Sequence, residues 1–182
     1  MQAINWKTDS ITDITADEYY NLVNRNREHI SKTFPITLAS CTDPEKTAVF
    51  MALLIEKENE KENHFYFLRN LDTNELIGFA CIKNINVTLA KCELAYFVDK
   101  NFEGRGIITK AVGNTLAVCF NDINMNKVYI CTSPFNLASQ KIALKHNFRK
   151  EGILRDEFIN GEGIMEDVVY FGLLKSDYKN EK

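Results

Sequence analysis

The sequence predicts a mixed α/β domain: a central, mostly antiparallel twisted sheet with one parallel βαβ pair and helices on both faces. Three observations carry this. Helical spacing of apolar residues recurs over residues 16–33, 43–61 and from 107 onward, while β-rich runs fill the stretches between and after them. The strand–helix–strand unit over residues 92–132 is long enough for a right-handed crossover, which makes its two strands parallel if they share a sheet. Helices interspersed among strands then cover both faces.

Residues 1–13 are expected to hold a short strand and a loop. The helix over 16–33 starts at a capping box, Thr15 with Glu18, and Ile14 with Tyr19 occupies the staple positions. Tyr19, Leu22, Val23, Asn26 and Ile30 make one mostly apolar face, and Phe34-Pro35 is expected to end it. The second helix has Asp43 as N-cap and Pro44 in its first position, with Ala48, Met51, Ala52 and Ile55 as its expected buried face. Its charged end, residues 56–63, reads as a solvated surface.

From His64 the period becomes extended. Residues 65–71 and 76–85 read as a hairpin around Asp72-Thr73-Asn74, and 92–98 as a third strand. Residues 107, 108, 111, 112, 115, 116, 119 and 120, apolar but for Thr115, mark a helix that continues to 120. Residues 128–132 are a strand and 136–146 a helix. Strands at 148–158 and 165–174 close the chain, with Asn160-Gly161 as the tight turn between them.

With 182 residues the chain fits a single domain, 1–182, with disorder expected at the ends, chiefly 179–182. A formal charge of −3, spread without a basic block, leaves nucleic acid out of the expected partners. Cys41, Cys81, Cys92, Cys119 and Cys131 form no CxxC pair and lie mostly in apolar runs, as reduced core thiols of a cytoplasmic protein would. The opening MQAINWKTDSITDIT lacks the marks of a secretory leader, and no apolar run reaches the ~20 residues of a membrane span. A cytoplasmic location without membrane contact is the expectation, as monomer or homodimer.

Chemistry concentrates at residues 98–111. A strand runs into Glu103-Gly104-Arg105-Gly106, and a helix opens at once with Ile107, Ile108 and Thr109. Glycines one residue apart permit positive φ and leave the amides unobstructed, so successive N–H groups can converge on one anion. The helix behind them adds its orphan donors and the positive end of its dipole, which suits phosphate. Such a GxG turn also ends strands for purely structural reasons. It matches neither a P-loop, which needs GKS or GKT, nor a dinucleotide fingerprint, whose third glycine would fall at Thr109. His29, His64 and His146 show no metal spacing, and no metal is expected.

A second block, Asn136-Leu137-Ala138-Ser139 followed by Phe148-Arg149-Lys150-Glu151-Gly152, changes the weight of the first. Asn136 alone is a competent N-cap. Together, in this order and separation, the two blocks resemble the GNAT superfamily of acetyl-CoA-dependent N-acyltransferases. Within it the chain is most similar to the serine and alanine N-acetyltransferases of ribosomal protein N-termini. The similar segments are Cys92-Glu93-Leu94-Ala95-Tyr96-Phe97-Val98, residues 106–111, Asp167-Val168-Val169-Tyr170, and Asn24-Arg25-Asn26-Arg27-Glu28-His29. The resemblance spans almost the whole chain.

It implies a GNAT-like fold, acetyl-CoA as acyl donor with CoA as product, and a protein N-terminus or small amine as acceptor. It implies cofactor contacts from Phe97, Val98, Glu103, Gly104, Arg105, Gly106, Ile107, Ile108, Thr109, Asn136 and Ser139, with the Phe97 and Val98 amides taking the pantetheine arm. Ser139 is the implied proton donor to the departing thiolate, because Ala143 stands where many members place a tyrosine. Glu93 is the first candidate base, through water, and Glu157 the second. Two departures stand out. The superfamily usually has Gln or Arg at the position of Glu103, and Gly or Ala at that of Ile108. Glu103 is therefore expected to turn away while Arg105 or Lys110 supplies positive field, and Ile108 to face the core. Alternative readings are a polyamine, amino acid or aminoglycoside acetyltransferase, and a catalytically weak CoA-binding regulatory module.

Overall fold

The computed structural model describes residues 4–178; the expected disordered tail lies outside the described residues. Among the described residues seven strands form one sheet: β1 Trp6–Ser10, β2 His64–Asn70, β3 Leu76–Asn86, β4 Lys91–Val98, β5 Lys127–Thr132, β6 Arg149–Ile159 and β7 Met165–Leu174. Their order is β1-β2-β3-β4-β5-β7-β6, and every pair is antiparallel except β4 with β5. The helices are α1 Ala16–Arg25, α2 Pro35–Ser40, α3 Pro44–Asn59, α4 Ile107–Ala117 and α5 Leu137–Lys145. Helix α4 is the crossover between the parallel pair.

Both faces are covered. On one, Tyr19 and Leu22 of α1 and Met51 of α3 pack with Phe67, Phe79 and Phe97 of the sheet. Tyr19 meets Phe67 edge to face with centroids 4.9 Å apart. On the other, Val112 and Leu116 of α4 and Ala143 of α5 pack with Ile82, Leu94, Ile130 and Phe171. A ten-residue helix is marginal by itself in water. Burying Tyr19, Leu22 and Val23 at roughly 1.5–3 kcal/mol each is what holds α1.

Where α1 starts and stops has separate causes. The capping box forms as expected: Thr15 accepts from the Glu18 amide, and Glu18 accepts from the Thr15 amide at 2.8 Å. The expected continuation to Thr33 does not form. Asn26 is buried, donates to the Leu22 carbonyl at 2.9 Å and accepts from the Lys100 amide at 2.9 Å. Those bonds hold its backbone at φ −108° and ψ 10°, outside the helix. Residues 26–33 continue as separate turns, and Pro35, expected only as a terminator, opens α2 in the first helical position.

Three other expectations are corrected. Helix α3 buries Thr47, Met51 and Leu54, and leaves Ala48 and Ala52 exposed. It is apolar nearly all round, so spacing did not identify the packed side; Thr47 tolerates burial because its hydroxyl donates to the Asp43 carbonyl at 2.7 Å. Helix α4 ends at Ala117 and widens into a π turn, Val118–Asp122, which still buries Cys119 and Phe120. Between β6 and β7 lies a loop of residues 160–164 rather than a two-residue turn. Asn160 Oδ1 gathers the amides of Glu162 and Ile164, and the left-handed residue is Gly163.

Gly161 meets a different demand, since a Cβ there would lie 2.0 Å from the Ser31 carbonyl oxygen. The 26–33 turns and the β6–β7 loop are thus in close contact, and Lys32 reaches Glu162 at 3.6 Å beside them. Replacing Gly161 with Ala is expected to cost about 1–3 kcal/mol, read as a lower urea midpoint at unchanged slope.

Candidate active site

The site exists because β4 and β5 pair only briefly. Cα partners run from Lys91 with Lys127 to Glu93 with Tyr129, after which the strands diverge. Asp99 N–H donates to the Ile77 carbonyl at 2.9 Å on the β3 side. By the two-residue alternation of a strand, Phe97 also turns its backbone groups to β3, while Tyr96 and Val98 turn theirs to the gap. Of the two residues expected to offer amides, Val98 turns its amide to the opening; both residues line the cleft, and the Phe97 ring packs on Phe34 and Phe79.

Two clefts occupy the wedge, of 380 Å³ and 120 Å³. They share Lys32, Thr33, Tyr96, Ser133, Asn136 and Ser139, so they meet at those residues as the two ends of one passage. The larger reaches Glu103 and Ile108 at the glycine loop, and the smaller reaches Glu93, Cys131 and Phe158.

At the loop, Gly104 has φ +70° and Gly106 +75°, and a Cβ on either would meet nothing within 4 Å. The glycines are therefore demanded by backbone conformation and keep an outward concavity open. Gly106 caps α4 without a side chain, and the first helical bond is Lys110 N–H to the Gly106 carbonyl. The amides of Ile107, Ile108 and Thr109 precede that bond and have no acceptor within the helix. Ile107 is buried, and Ile108 is half-buried, packed on the core beside it and lining the cleft. Glu103 turns to His29, with Oε1 3.5 Å from Nε2. Arg105 stacks over Phe102 and donates to the Asn101 carbonyl, while Lys110 lies over the Trp6 ring. Helix-start amides without acceptors in the helix, behind an open glycine turn, fit a pyrophosphate.

Asn136 caps α5 by accepting from the Ser139 amide at 3.0 Å, which sets Ser139 at the shared waist of the passage. There the Tyr96 hydroxyl lies 3.2 Å from Ser139 Oγ and 3.4 Å from the Ser139 carbonyl. Burial pushes the Tyr96 phenol up to about 12, against the opposing effect of the Ser139 bond. Ala143, where a tyrosine is common in the superfamily, is fully buried in the core. Sequence reading passed over Tyr96, although a phenol on the apolar Cys92, Leu94 and Val98 face of a strand must find a polar partner.

Glu93 is buried and lines the smaller cleft. Its carboxylate accepts from Asn84 at 2.7 Å and pairs with Lys83 at 3.2 Å. A bulge at Asn84, held at φ +52°, delivers that amide. Glu157 follows a second bulge at Asp156, is exposed, and lines neither cleft. Cys131 lines the smaller cleft; burial, with the charges of Glu93 and Glu157, raises its thiol to about 12, so it stays protonated. All five cysteines are free. His146 donates from Nε2 to the Thr109 carbonyl at 2.9 Å, a packing role. Among the described residues no group of three or more His, Cys, Asp or Glu is placed to hold a metal ion, and no helix is long and apolar enough to cross a membrane.

The segment 24–29 explains how the loop is held. Arg25 donates to Asp99 at 2.5 Å and to the Leu76 carbonyl, Asn26 accepts from Lys100, and Arg27 donates to the Leu38 and Cys41 carbonyls. Asp99 also accepts from the Asn101 amide at 2.9 Å. Burial alone would raise the Asp99 carboxyl, but the Arg25, Asn101 and Asn26 bonds outweigh it and hold it below the usual range. Its contribution to stability is present above the unfolded value near 3.9 and lost as pH falls through the lower folded value. Arg25→Met is therefore expected to cost about 3 kcal/mol at pH 7, a deficit that shrinks by pH 3 when urea midpoints are compared.

The chain matches the family model described as acetyltransferase (GNAT) domain over residues 10–149. It is 34% identical over 108 residues to the "Putative ribosomal N-acetyltransferase YdaF" of Bacillus subtilis (strain 168), covering 59% of this chain and 58% of that one. It is 32% identical over 107 residues to the "Uncharacterized N-acetyltransferase p20" of Bacillus licheniformis, covering 59% of this chain and 60% of that protein. The alignments thus span under two thirds of these relatives. The ribosomal-protein-S5-alanine acetyltransferase from Vibrio fischeri superposes with a TM-score of 0.85 at 22% identity, over 98% of this chain and 97% of its own. RimL, a ribosomal L7/L12 alpha-N-protein acetyltransferase in complex with coenzyme A, gives 0.84 at 16% identity over 97% of each chain. Those two likenesses establish the fold, and the match over residues 10–149 shows that the chain belongs to the GNAT acetyltransferase domain family.

Proposed function

We propose that this protein transfers the acetyl group of acetyl-CoA to a primary amine, the N-terminal α-amine of a ribosomal or similar protein. The observation that carries the reading is the open wedge, whose free strand amides on β4 lead into a glycine cradle and an uncapped helix start. The family match and the names of the related proteins support the same chemistry.

Acetyl-CoA supplies an activated thioester, so the protein's task is alignment and proton management. The amides at residues 106–109 would hold the pyrophosphate and the Val98 amide the pantetheine arm. Ser139 at the waist would hand its hydroxyl proton to the sulfur as the C–S bond breaks, and take one back from water. Glu93 would receive the proton released by the amine as the N–C bond forms, through a water in the smaller cleft.

That cleft also bears on the acceptor. Its charged lining residues are Lys32, Lys83 and Glu93, and the carboxylate is already paired with Lys83. A polyamine would meet more positive than negative charge there. A single α-amine, delivered neutral on an extended chain, meets no such penalty.

The test is CoA release from acetyl-CoA over a panel of N-terminal peptides set beside polyamines, amino acids and aminoglycosides. Turnover is expected with peptides; turnover confined to a small amine would replace the acceptor, and none with CoA still bound would leave a binding module. Gly106→Val should weaken CoA binding about tenfold or more while the melting transition persists, because a β-branched residue resists positive φ and crowds the amides. Ser139→Ala should lower kcat about a hundredfold with little change in KM for acetyl-CoA.

A further inference from the structure

The waist of the passage holds two hydroxyls where one was expected, and their arrangement is specific. Tyr96 arrives from β4 and Ser139 from the first turn of α5, elements 43 residues apart, and their oxygens lie 3.2 Å apart. Both line the larger cleft and the smaller one. Ser139 has three polar groups, each with a defined position. Its amide is taken by Asn136, its carbonyl lies 3.4 Å from the Tyr96 phenol, and its hydroxyl faces the same phenol. A serine hydroxyl otherwise rotates freely, and its proton points wherever an acceptor offers. The phenol gives it one fixed neighbour, with either oxygen able to donate and the Ser139 carbonyl a second acceptor for the phenol's proton.

We propose that Tyr96 is the positioning residue of the transfer, donating its hydrogen bond to Ser139 Oγ so that the Ser139 proton points into the cleft at the sulfur of the acyl donor. This rests on the reading of the wedge as an acetyl-CoA site. In the exchange the N–C bond forms as the C–S bond breaks, and sulfur keeps the electron pair. Sulfur then takes the proton of Ser139, Ser139 regains one from water, and the amine's proton leaves through the water at Glu93. Tyr96 keeps its own proton throughout. Its high affinity for that proton suits the role, because a phenol that stays neutral at working pH is a fixed donor and a poor proton source. Ser139 thus stands in for the tyrosine that Ala143 replaces, and the phenol of Tyr96 orients it from another element.

The experiment needs no acceptor. CoA and desulfo-CoA, which differ only at the thiol, are titrated calorimetrically into the parent protein, Tyr96→Phe, Ser139→Ala and the double variant, at pH 7 and pH 9.5. For the parent, the ratio of CoA to desulfo-CoA affinity is expected to rise about tenfold with pH, as the thiolate gains a charge-assisted hydrogen bond. In Tyr96→Phe and Ser139→Ala that rise is lost while desulfo-CoA affinity stays within about twofold, and the double variant resembles the singles. A Tyr96→Phe protein that keeps the rise overturns the proposal. So does one that loses both ligands equally, since the ring would then serve packing. If the parent binds CoA without any rise, the positioning role fails and the cofactor reading stands. If the parent binds neither ligand, the cofactor reading itself fails.

Discussion

β4 and β5 remain paired for only three residues, Lys91 to Glu93 against Lys127 to Tyr129, and the rest of the site depends on their parting. A parallel pair that continued to Tyr96 and Thr132 and beyond would consume the amides now facing the gap and close the passage. Divergence leaves those groups for a ligand, at a general cost, since unpaired buried backbone is unfavourable. Shared walls give the passage a waist, and the residues there, Tyr96, Asn136 and Ser139, come from the strand and the helix that the divergence separates.

The other constraint is the tie between residues 25–29 and the chain after β4. Arg25 with Asp99 and Asn26 with Lys100 fix the exit of β4, and His29 meets Glu103 one turn later. On its far side the same segment leans on the β6–β7 loop through Ser31 and Lys32. It therefore spans the wedge, from the glycine loop to the terminal hairpin, and forms part of the wall of both clefts. Glu103 finds its explanation here. Its carboxylate is turned to a histidine of the spanning segment, with Oε1 3.5 Å from Nε2.

The two ends of the passage differ in chemistry, as a two-substrate transfer requires. One end offers backbone donors and apolar walls, suited to a long phosphorylated carrier. The other has a buried carboxylate whose position is set by Asn84 and Lys83, beside aromatic and aliphatic surface. Both of its oxygens already have partners, which is why it is proposed to receive a proton through water.

The sequence by itself determined the elements whose signals are local. The Thr15 capping box, Asp43 before Pro44, the β-rich hairpin runs after His64 and the glycine loop at 104–106 rest on neighbours a few residues apart, and the structure has each of them. The order of blocks around Gly106 and Asn136 was likewise enough to indicate the family. Only the tertiary structure decided the matters that depend on distant partners. The end of α1 at Arg25 follows from Lys100, 74 residues beyond Asn26, and the exposed side of α3 from which face of an apolar helix the sheet accepts. Glu157 lies outside the clefts because a bulge shifts the register of β6, and Tyr96 enters the site because strand divergence and an N-cap bring it to Ser139. Spacing along a chain reports which residues share a face. It does not report what that face will meet, and the hydroxyl pair at the waist is a meeting of that kind.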